Sequence, residues 1–222
     1  MRLIIFDMDG TLVDTVGLIV ETVTDAFAAI NEPVPSEAAI RSISGITARE
    51  AMGMLSPGAT PERVDTITES YRKHYRERAG VSREPLFSGA LEALDALRAQ
   101  PDSILASATG KGYRGAGTRL ERHNIRERFH SVETPDHNRG KPDPQMIYTA
   151  MEKAGAKRTE TVMIGDTVHD MRMAKAAGVK ALGVAWGYHE VSDLREAGAD
   201  LVVASFAELV PAIDKLLGGR HA

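Results

Sequence analysis

The sequence predicts an α/β fold, in which a parallel β-sheet carries helices on both faces and a helical segment is inserted after the first strand. Three observations support this prediction. Short apolar runs recur along the chain, helical hydrophobic patterns separate most of them, and one long segment near the N-terminus carries helical patterns only. Such runs are typical of strands that are buried on both faces of a parallel sheet.

The predicted sheet is built from apolar runs of strand length. They lie at residues 3–6, 103–108, 161–164 and 180–185, with a weaker run at residues 201–203. Patterns of helical spacing stand between them, at Leu91, Leu94 and Leu97 and again over residues 146–154. Because strands alternate with helices, we expect parallel strands that are joined by right-handed crossover connections.

The helical segment near the N-terminus interrupts this alternation. Apolar residues follow helical spacing from Val16 to Ile30, and a second helical pattern runs from Glu62 to Arg78. No convincing strand pattern occurs between them. We therefore expect residues 15–85 to form a helical cap, and residues 1–14 and 86–222 to form the α/β core.

Composition and charge exclude several classes of protein. The formal net charge is −4 with both signs scattered, which argues against nucleic-acid partners and anionic lipid surfaces. The chain has no cysteine, which excludes disulfides, thiol catalysis and thiolate zinc sites. No apolar run approaches the roughly 20 residues that span a bilayer, and the apolar stretch before Asp7 is too short for a signal peptide. We expect a cytoplasmic monomer or homodimer without a membrane partner.

Two carboxylates follow the first predicted strand. Asp7 and Asp9 stand directly after it, with Gly10 and Thr11 behind them. Ligands bind at the carboxyl ends of the strands in open parallel sheets. Two carboxylates at about 4 Å repel each other by on the order of 4 kcal/mol at an effective dielectric near 20. A cation near them is therefore expected, although a capped and solvated turn would also explain an isolated pair.

A second acidic pair follows a later strand in the same way. Asp166 stands at the end of the run at residues 161–164, and Asp170 lies in the first turn of the next helix. Helix capping explains Asp170 alone, because a helix N-terminus favours an acidic residue. It does not explain why Asp166 should meet Asp7 and Asp9 at one sheet edge. Several carboxylates there predict a hard divalent cation, and Mg²⁺ is the default where a phosphate also binds.

Two further residues suit a phosphate. Thr109 ends the strand at residues 103–108 and is followed by Gly110, so its hydroxyl and the adjacent N–H groups could hold a phosphoryl oxygen. Lys141 lies between turn residues before a helix, where it offers a compact positive charge. Either residue alone is more often solvated surface, but their order behind consecutive strands strengthens the phosphate interpretation.

With these motifs the chain resembles the haloacid dehalogenase superfamily, in its phosphatase branch with a helical cap. The resemblance covers nearly the whole length. The four motifs are FDMDGTLVDT at residues 6–15, ILASATG at 104–110, GKPDP at 140–144 and MIGDTVHDMRMAKAAG at 163–178. It implies a Rossmann-like core, a small phosphorylated metabolite as substrate and Mg²⁺ as cofactor. Because Asp9 is present, phosphoryl chemistry is favoured over carbon–halogen cleavage.

The resemblance also implies a role for each motif residue. Asp7 would attack phosphorus and form an aspartyl-phosphate, and Asp9 would protonate the leaving group and then activate water. Lys141 and Mg²⁺ would offset negative charge, and Thr109 would position the phosphate. The metal would be held by Asp7, by the backbone carbonyl of Asp9 and by Asp166, with Asp170 as an outer ligand.

The cap would then act as a lid that selects the substrate. Phosphoglycolate is the substrate that family habit alone suggests. The loop at residues 44–49 interrupts the helices of the cap and is the candidate specificity loop. Arg49 in this loop could bind a second anionic group of the substrate. Gly110 and Lys141 would bind the substrate near its phosphate. An exposed arginine at a helix start is an equally good interpretation of Arg49.

Three alternatives stay open at this point. Residues 110–115 match the glycine fingerprint of dinucleotide-binding proteins, with Glu133 near the position of a ribose-binding acid, so an NAD(P)-dependent oxidoreductase is the main alternative. An oxidoreductase of this kind would leave Asp7, Asp9 and Asp166 without a role. A sugar-phosphate mutase of the same superfamily would usually carry a histidine where this chain has Ile19. A binding module without activity would be expected to lack the nucleophile or the lysine.

Overall fold

The computed structural model describes residues 1–81 and 84–218, so residues 82–83 of the predicted cap and residues 219–222 of the predicted core lie outside the described residues. A six-stranded parallel sheet forms its centre, in the strand order β3-β2-β1-β4-β5-β6. The strands are β1 Arg2–Phe6, β2 Ser103–Ala108, β3 Ser131–Glu133, β4 Thr161–Gly165, β5 Lys180–Val184 and β6 Leu201–Val203.

Helices lie between the strands in the chain and after the last of them. They are α1 Val16–Ala28, α2 Glu37–Ser42, α3 Ala48–Leu55, α4 Pro61–Val81, α5 Ala90–Arg98, α6 Tyr113–Arg122, α7 Gln145–Ala154, α8 Val168–Ala177, α9 Val191–Glu196 and α10 Leu209–Leu217. Among the described residues, no helix is both long enough and apolar enough to cross a bilayer.

The sheet is buried on both faces, which confirms the predicted α/β class. Every residue of β1 is buried. Ile4 and Phe6 face a cluster that includes residues of α5, α6 and α10, while Leu3 and Ile5 face one that includes residues of α7, α8 and α9. This double burial explains why the strands are continuous apolar runs and do not alternate with polar residues.

The four helices α1 to α4 all lie between β1 and β2 in the chain. They pack mainly against one another, with α1 against α4 and α3 against α4. Val23, Phe27 and Ile67 are buried in a third apolar cluster that these helices share with Tyr188 from the core. We refer to the described residues 15–81 as the cap segment.

Strand register determines which side chains meet at the carboxyl edge of the sheet. Phe6 pairs with Ser107 of β2 on one side and with Ile164 of β4 on the other. The N–H of Asp7 continues this ladder and donates to the carbonyl of Ile164 at 2.9 Å. The residues that follow β1, β2 and β4 are therefore neighbours in space, although they are far apart in the chain.

Candidate active site

A buried lysine joins two aspartates at this edge. Asp7 follows β1, Asp170 lies in the first turn of α8, and Lys141 belongs to the loop before α7. The Nζ atom of Lys141 lies 2.9 Å from Oδ1 of Asp7 and 2.6 Å from Oδ1 of Asp170. All three residues are buried. The single lysine therefore neutralises only one of two buried negative charges.

Asp166 brings a third carboxylate to the same edge, directly after β4. Its Oδ1 accepts a hydrogen bond from the hydroxyl of Thr11 at 2.7 Å, and its Oδ2 accepts one from the N–H of Tyr188 at 2.9 Å. Gly10 has a φ of +77°, and a Cβ at that position would lie 2.2 Å from Oδ2 of Asp166. The turn after β1 can approach Asp166 this closely only because residue 10 is glycine.

These three aspartates could hold a metal ion. Asp7, Asp166 and Asp170 each offer one carboxylate oxygen, and these oxygens lie within 4.8 Å of one another. The Oδ2 atom of Asp7 is buried and has no hydrogen-bond partner within the described part of the chain. Lys141 leaves two of the three negative charges uncompensated. A divalent cation with oxygen ligands, such as Mg²⁺, fits both this charge and these donors.

Burial and crowding perturb the titration of this cluster. Burial raises the pKa of Asp7 well above its ordinary value; Lys141 opposes the shift, and Asp170 and Asp166 add to it. Burial also raises the pKa of Asp166 to about 7, with a further contribution from Asp170. Burial alone would lower the pKa of Lys141, but Asp170 and Asp7 outweigh it and raise that pKa. The lysine thus stays charged, while the carboxyls lack sufficient positive charge.

Asp9 belongs to a second, separate network. Its carboxylate is outside the group of three, and its Oδ2 lies 2.7 Å from Nζ of Lys111. Lys111 also donates to the hydroxyl of Tyr75 on α4 at 2.7 Å. Arg119 of α6 donates to the same hydroxyl at 2.8 Å and pairs with the buried Glu84. No local sequence pattern indicated this network, although Lys111 directly follows the predicted phosphate residues Thr109 and Gly110.

Thr109 and Gly110 lie where β2 ends. Thr109 is buried, and its hydroxyl accepts a hydrogen bond from the N–H of Lys111 at 3.3 Å. A Cβ on Gly110 would lie 2.7 Å from the carbonyl oxygens of both Gly45 and Ile46. The loop between α2 and α3 therefore rests directly on the core beside the acidic cluster.

A cavity of about 570 Å³ separates the cap segment from this edge of the sheet. Asp7, Asp9 and Thr109 line its core side, and residues of α1, α3 and α4 line the opposite side. Arg49 is among the lining residues, but its Nε lies 2.6 Å from Oδ1 of Asp65 and its side chain is 55% exposed. The structure therefore gives this predicted substrate residue an ionic partner within the cap segment.

The surroundings of the glycine fingerprint at residues 110–115 differ from those that a dinucleotide-binding site needs. Glu133, the candidate ribose-binding acid, is buried and accepts hydrogen bonds from Nζ of Lys153 at 2.8 and 3.1 Å. The first glycine, Gly110, is covered by the loop of the cap segment. Both observations favour the phosphate interpretation over the oxidoreductase.

Comparison with known proteins agrees with this geometry. The profile of the haloacid dehalogenase-like hydrolase family matches residues 4–184. A Dickeya dadantii protein named Probable phosphatase IndB is 37% identical over 97% of this chain and 94% of its own length. A phosphoglycolate phosphatase of Agrobacterium fabrum is 32% identical over 99% of this chain and 95% of its own length.

Solved structures share the whole fold. The crystal structure of a hydrolase from Pseudomonas syringae superposes with a TM-score of 0.86 at 27% identity, covering 97% of this chain and 99% of that one. These similarities agree with the parallel sheet and with the aspartates that its strand order brings together. The chain therefore belongs to the haloacid dehalogenase-like hydrolase family, in its phosphatase branch, and is a phosphoric monoester hydrolase.

Proposed function

We propose that the protein hydrolyses a small-molecule phosphate monoester, with Mg²⁺ as cofactor, through an aspartyl-phosphate on Asp7. The observation that carries this proposal is the environment of Asp7. Its Oδ2 is buried without a hydrogen-bond partner among the described residues, while Oδ1 is held by Lys141 and by the N–H of Met8 at 2.7 Å. Asp7 also lines the cavity, so its carboxylate is fixed and available to a substrate.

The proposed reaction has two displacement steps. In the first, a carboxylate oxygen of Asp7 attacks phosphorus, the bond from phosphorus to the ester oxygen breaks, and Asp9 gives its proton to the departing alcohol. In the second, Asp9 takes a proton from water, the resulting oxygen attacks the aspartyl-phosphate, and inorganic phosphate leaves. Both aspartates end in their starting protonation states, so the cycle is closed.

The other site residues stabilise charge and orient the phosphate. Asp7, Asp166, Asp170 and the backbone carbonyl of Asp9 are the proposed ligands of Mg²⁺. When bound, Mg²⁺ supplies positive charge that offsets the repulsion between the carboxylate and the phosphate dianion. Lys141 adds a second positive charge beside Asp7. Thr109 and the N–H of Gly110 are proposed to hold a phosphoryl oxygen.

The helical cap, for which residues 15–85 stay the proposed bounds, is proposed to act as a lid that excludes water and contacts the leaving group. Phosphoglycolate is a candidate substrate because a relative carries that name. A sugar-phosphate mutase is less well supported. Ile19 occupies the position where we expect the histidine of a mutase, and its side chain lines the cavity.

The proposal is tested by phosphate release from p-nitrophenyl phosphate and from a panel of phosphorylated metabolites, with and without EDTA. We expect turnover that requires Mg²⁺ and stops when EDTA removes it. Asp166→Ala should lower Mg²⁺ affinity and turnover together, whereas Asp193→Ala, on the exposed surface of α9, should change neither. EDTA-resistant turnover would contradict the metal assignment, and absence of phosphate release from every ester would contradict the function.

Lys111→Gln is expected to move the alkaline limb of the kcat/KM profile to higher pH. Burial raises the pKa of Asp9, but Lys111 and Arg119 outweigh burial and hold that pKa below its ordinary value. Without Lys111 the pKa of Asp9 rises, so its protonated form, which donates to the leaving group, persists to higher pH. Because the wild-type limb lies below the ordinary carboxyl pKa of 3.8, the measurement is kcat/KM from about pH 3 to pH 9.

The control for this prediction is Lys73→Gln, which removes an exposed lysine of α4 that does not line the cavity. Its profile should match the wild type. A limb that stays in place in Lys111→Gln, or moves to lower pH, would show that Lys111 does not set the titration of Asp9.

A further inference from the structure

The cavity is larger than a very short leaving group would fill. Phosphoglycolate has nine non-hydrogen atoms, and at about 30 Å³ each, the volume of a water molecule in the liquid, they would fill at most roughly 270 Å³. The cavity measures about 570 Å³. Its size lies within the range of pockets that hold ligands of drug size, roughly 300–1,000 Å³.

Apolar and aromatic side chains form much of the surface beyond the phosphate position. They include Ile19 of α1, Ile43 and Ile46 between α2 and α3, Met52 of α3 and Tyr71 of α4. Such walls bind the carbon skeleton of a leaving group and offer few hydrogen bonds to it. Among the polar lining residues, the cationic ones suit an anionic group at its far end.

Five cationic residues line the cavity, and three of them already have anionic partners. Arg49 pairs with Asp65, Arg72 pairs with Glu69 at 3.5 Å, and Lys111 pairs with Asp9. The other two are Arg76 and Arg114. Within residues 1–81 and 84–218, neither of these two arginines has an ion pair or a side-chain hydrogen bond.

The two unpaired arginines come from different parts of the fold. Arg76 lies on α4 of the cap segment, and Arg114 lies in the first turn of α6 in the core. Both line the same cavity. Guanidinium groups bind carboxylates and phosphates through paired, charge-assisted hydrogen bonds. An anion held by both would connect the cap segment to the core across the substrate.

We propose that the leaving group carries a second anionic group, a carboxylate or a phosphate, that binds to Arg76 and Arg114. This inference rests on the proposed phosphatase function. The body that joins this anion to the scissile phosphate is of sugar size or larger, because a two-carbon unit would leave about half of the cavity unfilled. The substrate class is thus a phosphorylated sugar acid or a comparable bisphosphate. On this inference phosphoglycolate, the candidate that a relative's name suggested, is a poorer substrate than such an ester.

The test compares esters that differ in the second anion. Glucose 6-phosphate has none, 6-phosphogluconate has a carboxylate, and glucose 1,6-bisphosphate has a phosphate; phosphoglycolate tests the short spacer, and p-nitrophenyl phosphate reports general phosphatase activity. We expect at least one doubly anionic hexose ester to exceed glucose 6-phosphate in kcat/KM by about tenfold or more, the value of one charge-assisted hydrogen bond. The better of the two identifies the anion.

The variants Arg76→Gln and Arg114→Gln then locate the subsite. Each should reduce the kcat/KM ratio of the doubly anionic ester to glucose 6-phosphate by about tenfold, mainly through KM. Arg98→Gln, which removes an exposed arginine of α5 outside the cavity lining, should leave the ratio unchanged. Melting midpoints of all three variants show that each remains folded.

Three results would overturn the inference. They are equal kcat/KM for all three hexose esters, a higher kcat/KM for phosphoglycolate than for any of them, and ratios in Arg76→Gln and Arg114→Gln that match the wild type. Failure of the proposed function has a different signature. In that case the wild-type enzyme releases no phosphate from p-nitrophenyl phosphate or from any other ester, and the inference falls with it.

Discussion

Asp7→Asn is expected to abolish turnover and to leave the fold intact. Loss of a nucleophile in other hydrolases lowers kcat by about 10⁶-fold, and a loss of at least about 10⁴-fold is expected here. The amide has nearly the same shape as the carboxylate, so it can still accept the hydrogen bond from Met8 and contact Lys141. Lys141 keeps Asp170 as its ionic partner.

The stability of this variant separates a chemical defect from a structural one. Burial and two neighbouring carboxylates raise the pKa of Asp7, so a neutral side chain relieves repulsion. We expect a melting midpoint equal to or above that of the wild type, measured beside phosphate release. Asp193→Asn is the matched surface control. Turnover within tenfold of the wild type in Asp7→Asn would remove Asp7 from the role of nucleophile.

Lys141→Met should cause the largest loss of stability among these variants. Its side chain is completely buried and contacts both Asp7 and Asp170. Removing one partner of a buried ion pair typically costs about 3–5 kcal/mol, because a charge remains without compensation. Urea unfolding at neutral pH in EDTA measures this cost. Turnover should also be lost, since the positive charge of Lys141 is needed to stabilise the proposed transition state.

The pH dependence of this defect follows from Asp7. Lys141 lowers the pKa of Asp7, so that pKa rises further without it, above its value in the unfolded chain. A carboxyl of this kind binds protons more tightly when folded, so stability is recovered as pH falls. The deficit of Lys141→Met should therefore shrink in mild acid. Lys141→Met/Asp7→Asn should regain stability at neutral pH without regaining activity; an unchanged deficit in both tests would refute the ion-pair explanation.

The apolar runs of the sequence were sufficient to predict five of the six strands and the acidic edge, and the three-residue strand β3 was not among them. Residues 3–6, 103–108 and 161–164 are apolar because their strands are buried on both faces, and a proposed site residue follows each within two positions. Parallel order then places Asp7 and Asp166 at one edge. This inference needs only local patterns and one topological rule, which is why it was within reach.

Contacts between the cap segment and the core could not be predicted in the same way. The hydrogen bond from Lys111 to Tyr75 joins a loop after β2 to the middle of α4, and no local pattern encodes their distance. Tyr75 packs beside Tyr71 on the same face of α4, with ring centroids 5.8 Å apart, and helical spacing alone does not show which side chain of that face contacts the core. Arg49 illustrates the same limit, because its partner Asp65 belongs to the next long helix.

The central position of β1 has a consequence for synthesis of the protein. Arg2 pairs with Ser103 and Leu3 with Thr161, so both neighbours of this strand are encoded far downstream. At about 5–20 residues per second, roughly 5–20 s pass before the first of them leaves the ribosome. A nascent or truncated chain that ends before Thr161 keeps one edge of an apolar strand unpaired, which invites aggregation.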